Sequence, residues 1–351
     1  MQDLKISLLT GRERYLPMHS DQVEIFSKVT VDGLLELHDK DIIPTSNPVH
    51  KRVENVVTRI LESNEDIKEV SDRNWKISVV NDNYTENAMV VPSGHIFVFT
   101  GILNKCKNDD QLAIILGHEI AHSLLDHAAE NMNFKNFLYG FLIIPMAVLL
   151  AFIPSIATFV TYKFIDKATE LIYELPNSRL MENEADEVGL KLAANACYDI
   201  REAPVLWGTL HLQKLMYETE LDQAYRKKGV TLGFLSTHPS NLSREQNIAV
   251  LMPEMLRIRS AHGCCSLPED NPYENFKKFR NLIKDQQGNF NYEWDKRQIL
   301  RNAMNYEWDK RQVLRNAMKK QEKKDEYVAN AYTENYTIVI KVTKKEDRKT
   351  L

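Results

Sequence analysis

The residues best suited to do chemistry stand together at Gly117–His122, GHEIAH, an H-E-x-x-H pattern. On an α-helix His118 and His122 lie about 40° apart around the axis, so both imidazoles project from one face, as a zinc site needs. Glu119 is about 60° from His122, near enough to reach a water on the metal without joining its ligands. Zinc lowers the pKa of such a water towards neutrality, and a glutamate placed there takes its proton as the water attacks a peptide carbonyl. Chance would give this pattern on the order of 0.02 times in a chain of this length. Here it also falls in a helical apolar pattern, Leu112, Ile115, Leu116, Ile120, Leu124 and Leu125. The expectation is a zinc-dependent endopeptidase with one Zn2+ per chain, His118 and His122 as ligands and Glu119 as general base.

Such a site needs a third protein ligand. His127 is nine residues beyond His118, about 180° around a continuous helix, and reads as a helix-terminus or packing histidine. The metzincin spacing fails, because it would place its glycine at Leu125 and its last histidine at Ala128. The better candidate lies in Ser178–Leu190, SRLMENEADEVGL, where Glu182 and Asp186 share a helical face and Glu184 points nearly opposite. Glu182 is able to ligate zinc while Asp186 accepts a hydrogen bond from the second nitrogen of a ligating imidazole. On spacing alone, a solvated acidic helix face stays open as the alternative.

These groups need helices and a scaffold to hold them. Val53–Leu61 has apolar residues at helical spacing, Gln111–Asn131 reads as one long helix, and helices are expected near Asn177–Ala196 and Glu202–Glu218. Trp75–Val80 reads as a strand ended by Asn81-Asp82-Asn83. Asn87–Leu103 reads as a strand, a Pro-Ser-Gly turn and a second strand, Ile96–Thr100, running into a helix. The order implies an α+β fold, predominantly helical, with a short antiparallel sheet and the H-E-x-x-H helix at its centre.

The 351 residues suffice for a sizeable core, and 43% apolar with 27% charged residues is the balance of a folded chain. A net charge of -4 argues against nucleic acid as the main partner. Cys106, Cys197, Cys264 and Cys265 contain no C-x-x-C pair and read as reduced or structural, with a disulfide from Cys264 or Cys265 to Cys106 or Cys197 left open. Met1–Pro17 has neither a secretory signal nor a mitochondrial presequence pattern. The chain reads either as untargeted or as starting downstream of a targeting segment.

Asn136–Tyr162 holds 27 residues without a charge, long enough for a membrane span, yet Pro145 and Pro154 cut it into short pieces. A kinked span or re-entrant hairpin, an interfacial patch and a buried hairpin compete, with membrane association favoured. After Pro268, Asn291–Met304 is repeated as Asn305–Met318 with one change, Ile299 to Val313. A recent duplication fits this better than a functional repeat. Tyr336–Val342 reads as one late strand. The expected layout is an N-terminal segment 1–49, a peptidase domain 50–268 with the apolar hairpin at 136–162, and a helical extension 269–351.

GHEIAH followed by S-R-x-x-E-x-E-A-D and then by T-H-P-S with Arg244 six residues after His238 resembles the gluzincin family of HtpX-like and CAAX-prenyl-type metallopeptidases. The stretches NWKISVV, NAMVVPSGHIFVFTGIL, LGHEIAHSLLDHAAE, SRLMENEADEVGLKLAANAC and LSTHPSNLSR are most similar to its mitochondrial inner-membrane branch, which overlaps in activity with the m-AAA protease. The resemblance implies Glu182 as third ligand, Asp186 behind the ligands, His238 beside the oxyanion and Arg244 holding that loop. It also implies that the strand Gly94–Thr100 (Gly94, His95, Ile96, Phe97) is an edge against which an extended substrate lies. Three ligands and an intact Glu119 leave one position open, as in a catalytic rather than a structural zinc site. The implied biology is protein quality control under stress at the inner membrane, with the site facing the intermembrane space. Membrane-anchored protein substrates, including a dynamin-like fusion GTPase, would be the partners. A quality-control gluzincin of another compartment and a non-enzymatic zinc scaffold are the rival readings, and a homo-oligomer is left open.

Overall fold

The computed structural model describes residues 4–7, 9–15, 20–131, 175–220, 234, 238, 242–286, 327–334 and 337–344. They form two compact units, the first within Met1–Pro204, Leu232–Pro239 and Ser243–Glu269, the second within Val205–Thr231, Ser240–Leu242 and Asp270–Leu351.

The first unit opens with an antiparallel hairpin, β1 (Leu4–Ile6) and β2 (Glu13–Tyr15), followed by α1 (Ser20–Leu37) and α2 (Pro48–Glu62). Pro48 opens α2, where its missing N–H costs nothing, and the Asn47 side chain accepts a hydrogen bond from Val49 N–H. The helix buries His50, Val53, Val56, Val57 and Ile60, one face at helical spacing. A short α3 (Lys68–Ser71) leads to the sheet strands β3 (Lys76–Val80), β4 (Ala88–Val90) and β5 (His95–Phe99). After α4 (Thr100–Leu103) comes α5 (Asp109–Leu124), capped by Asn108, whose side chain accepts from Gln111 N–H.

Two sequence expectations about the sheet are corrected here. The strand order is β3-β5-β4, with β5 antiparallel to β4 but parallel to β3, so the sheet is mixed rather than antiparallel. Gly94, at φ 94°, lets the chain double back tightly from β4 into β5, and β5 is thereby inserted between β4 and β3. Gly94–Thr100 is therefore no edge. Both sides of β5 are paired, Ile96 and Phe97 are fully buried, and His95 is held by the Ser78 hydroxyl at 2.9 Å. An extended substrate has no backbone groups left to bond there. The far side of β3 is occupied by Ile42 and Ile43, which leaves β4 as the open edge among the described residues.

The chain continues with α6 (Leu175–Asn195), α7 (Glu202–Glu220) and α8 (Leu242–Ala261). The α5–α6 contact is the most extensive between any two described helices. It is made at two glycines: a Cβ on Gly117 would stand 2.7 Å from Gly189 O, and one on Gly189 would stand 2.7 Å from His118 N. Only hydrogen fits between these backbones. A disulfide, Cys197–Cys264, joins the chain just after α6 to the chain just after α8, while Cys106 is free and buried and Cys265 free and exposed. That settles the pairing left open by the sequence.

The second unit holds most of α7, together with α9 (Pro272–Gln286) and an antiparallel hairpin of β6 (Tyr327–Glu334) and β7 (Thr337–Lys344). The late strand is present, and it has a partner strand that the sequence reading of a helical extension did not include. The apolar stretch 136–162 and the repeat 291–318 lie outside the described residues, and no described helix is long and apolar enough to cross a membrane.

Replacing Gly189 by alanine should destabilise the first unit by about 1–3 kcal/mol, because backbone must move to admit the methyl group. Gly33→Ala on α1, where a Cβ meets nothing within 4 Å, should be neutral or slightly stabilising. Urea unfolding of both variants checks this; equal midpoints would remove the close crossing from the account.

Candidate active site

Four side chains from three places converge. His118 and His122 come from α5, Glu182 from α6, and His238 from the segment ahead of α8. His118 Nε2 lies 3.1 Å from His122 Nε2 and 3.2 Å from His238 Nδ1. Glu182 Oε1 lies 3.3 Å from His122 Nε2 and 3.0 Å from His238 Nδ1, and all four donors fall within 4.8 Å of one another. The edge of a tetrahedron around an ion with bonds of about 2.0–2.1 Å is about 3.3 Å. Three imidazoles and a carboxylate at that spacing are the donor set zinc prefers, so the residues fit the metal that the motif implies.

The surroundings fix how these groups point. His118 Nδ1 lies 3.0 Å from Asp186 Oδ1, so its N–H donates there and Nε2 is turned to the cluster. Arg244 grips Asp186 with two hydrogen bonds of 2.7 Å and approaches Glu182 Oε2 at 2.8 Å, in poor alignment for a hydrogen bond. Burial and Arg244 oppose a charge on His118, but Asp186 and Glu182 outweigh them and push it up to about 9. Burial acts against the Glu182 carboxylate too, yet hydrogen bonds from His118, His122 and His238 hold it well below the usual range. Asp186 is likewise depressed, burial being outweighed by Arg244 and His118. The metal-free cluster is a charged, tightly coupled knot.

Glu119 behaves differently. It is buried, its burial raises its pKa, and its Oε1 has no hydrogen-bond partner, although His238 Nε2 stands 3.3 Å away. A cleft of about 220 Å³ reaches it, walled on one side by Met89 and Val90 of β4 with Pro92, and on the other by Glu119 and His122. The open edge of the sheet and the candidate base thus share one cleft. His238 stands inside the donor cluster.

His127 is the residue misjudged by spacing. It does not face away, because α5 ends at Leu124 and Asp126 takes a left-handed φ of 51°, which aspartate tolerates. Arg73 stabilises the break by donating to Ser123 O at 2.9 Å and pairing with Asp126 at 3.6 Å. The chain turns back, and His127 Nδ1 comes 2.9 Å from His122 Nδ1. Its Nε2 lies 3.2 Å from Glu184, which also accepts from Arg12 Nε at 2.7 Å. Arg12 completes the group with a two-pronged bond to Glu130, 2.7 Å on each side. An uninterrupted 21-residue helix was the faulty assumption; the Leu-Asp-His sequence at 125–127 was the signal for the turn.

Residues 49–251 match the family model of peptidase family M48. The chain belongs to that family. It is 32% identical over 291 residues to the mitochondrial metalloendopeptidase OMA1 of Bos taurus, covering 82% of this chain and 54% of that protein. Against the Homo sapiens protein of the same name it is 34% identical over 281 residues, 78% of this chain and 51% of the other. The Saccharomyces cerevisiae protein is 31% identical over 274 residues, 76% and 74% respectively. The chain spans about half the length of its animal relatives. The match contains α2, the three-stranded sheet, the H-E-x-x-H helix, Glu182, Asp186, His238 and Arg244, so membership of a metallopeptidase family and the donor cluster point to the same residues. A metal is implied for this M48 member.

The Arg12 network has a measurable acid limit. Burial raises Glu184, but hydrogen bonds from His127 and Arg12 win and lower it from 4.5 to about 2. A depressed folded-state pKa gives stability that is present above about 4.5 and lost as pH falls towards about 2. Wild type should therefore unfold at higher urea than Glu184→Gln near neutrality, with the gap closing across that window. A gap independent of pH would rule out the charge as its source.

Proposed function

We propose that the chain is a zinc-dependent endopeptidase acting on membrane-associated proteins in mitochondria. The observation that carries this is the shared cleft: a zinc-competent donor set, a buried carboxyl free of hydrogen bonds at Glu119 Oε1, and the open strand β4 all border it. His118, His122 and Glu182 are assigned as the metal ligands. Asp186 fixes the ring of His118, and Arg244 holds Asp186 and Glu182 in place. A bound zinc ion would supply Lewis acidity, polarising the scissile carbonyl and making a water nucleophilic at neutral pH.

The protein's own part is proton transfer and positioning. Glu119, raised by burial, accepts the proton of the attacking water and returns it to the leaving amine. His238 presents its Nε2 3.3 Å from Glu119 and is assigned to stabilise the carbonyl oxygen as it gains charge. An extended peptide is assigned to β4, whose open edge offers backbone partners while Met89 and Val90 face the cleft. This replaces the buried strand β5.

His238 also gives the cluster a fourth protein donor, which is the arrangement of a closed structural site and favours the scaffold reading. Glu119 speaks for the open, catalytic reading, since a structural site has no use for a buried carboxyl whose Oε1 lacks a hydrogen bond and borders a cleft. The mitochondrial setting is supported by the names of the relatives, and the inner-membrane, stress-linked role with a dynamin-like GTPase among its substrates by the resemblance in the sequence.

Glu119→Gln should keep about one zinc per chain and lose cleavage of an unfolded membrane-anchored test protein by about 10²–10⁴-fold. Zinc analysis beside a cleavage assay in detergent checks this. Equal inertness of wild type and variant, with zinc bound in both, would favour the scaffold.

A further inference from the structure

The H-E-x-x-H helix carries a hydrogen-bond chain that ends on the N-terminal hairpin. As a zinc ligand His122 would present a bare Nε2 to the donor cluster, where that atom lies 3.1 Å from His118 Nε2 and 3.3 Å from Glu182 Oε1. A neutral imidazole with a bare Nε2 carries its proton on Nδ1. The acceptor, 2.9 Å from His122 Nδ1, is His127 Nδ1, which accepts only if His127 carries its own proton on Nε2. Glu184 Oε2, 3.2 Å from His127 Nε2, is the acceptor for that proton, and Arg12 holds Glu184 in place at 2.7 Å. His118 gets the same service from a carboxylate directly, through Asp186. For His122 the carboxylate acts through an intervening imidazole.

We propose that His127 is a positioning residue for the metal centre: the relay Arg12–Glu184–His127 sets the tautomer and ring orientation of His122, and so tunes metal affinity. The inference rests on His122 being a zinc ligand, the reading given above. Burial supports it: His127 is 2% exposed and Glu130, the second anchor of Arg12, 8% exposed, so water does not stand in for these partners. The relay also makes the loop between β1 and β2, far from α5 in sequence, a part of the metal site's support.

The test is zinc affinity of the full chain by competition with a chromophoric chelator, beside the unfolding midpoint of each metal-free protein. His127→Ala should weaken zinc binding about 10–100-fold, the usual cost of losing a partner behind a metal ligand. His127→Asn should recover much of that loss, because its amide oxygen replaces Nδ1 as acceptor, at an unchanged unfolding midpoint. Glu184→Gln should weaken binding in the wild-type background but change it less than about twofold once His127 is asparagine, as non-additivity within one chain of contacts requires. If His127→Ala fails to fold, the asparagine pair decides alone. Zinc affinity unmoved by His127→Ala, or a Glu184→Gln effect equal in both backgrounds, would overturn the relay. A wild type that binds no zinc would instead bring down the metallopeptidase reading, and the relay with it.

Discussion

The structure depends on how closely two helices can approach. Gly117 precedes the first histidine of α5, and Gly189 lies on α6 seven residues beyond Glu182, about two helical turns. Because neither has a side chain, backbone meets backbone, and imidazoles from one helix reach carboxylates from the other within 3.0–3.5 Å. Short side chains such as aspartate and glutamate reach no further than that distance permits. A substituent at the crossing would push the two backbones apart and with them the residues of the site.

Around this crossing, opposite charges are buried against each other. Arg244 and Asp186 are 4% and 5% exposed, so each charge depends on its partner, and removal of one leaves the other stranded at high cost. Such a knot is a poor source of net stability. Its value is fixed geometry: His118 cannot turn without losing Asp186, and Asp186 cannot turn without losing two bonds to Arg244. On the other side of the cluster, Arg12, Glu184 and His127 act on His122 with the same logic and one more link.

Much of this was legible in the sequence, because its signals are local. His118 and His122, like Glu182 and Asp186, sit four residues apart on helices, and α2, β3, α6 and α7 fall close to where periodicity puts them. What failed was non-local or depended on one dihedral angle. The left-handed Asp126 ended α5 early and swung His127 into the site. The insertion of β5 between β3 and β4 moved the open edge from Gly94–Thr100 to Ala88–Val90, since strand order is set by pairing partners and not by alternation along one strand. Arg12 was invisible for the same reason, its two carboxylate partners lying 118 and 172 residues away.

The central claim is that one zinc ion sits between α5 and α6 on imidazole and carboxylate donors. X-ray absorption at the zinc edge of the loaded full chain tests it most directly. The account requires nitrogen and oxygen neighbours at about 2.0–2.1 Å, an outer-shell pattern from at least two imidazoles, and no sulfur near about 2.3 Å. A sulfur shell, or a spectrum with fewer than two imidazoles, would place the metal elsewhere and contradict it.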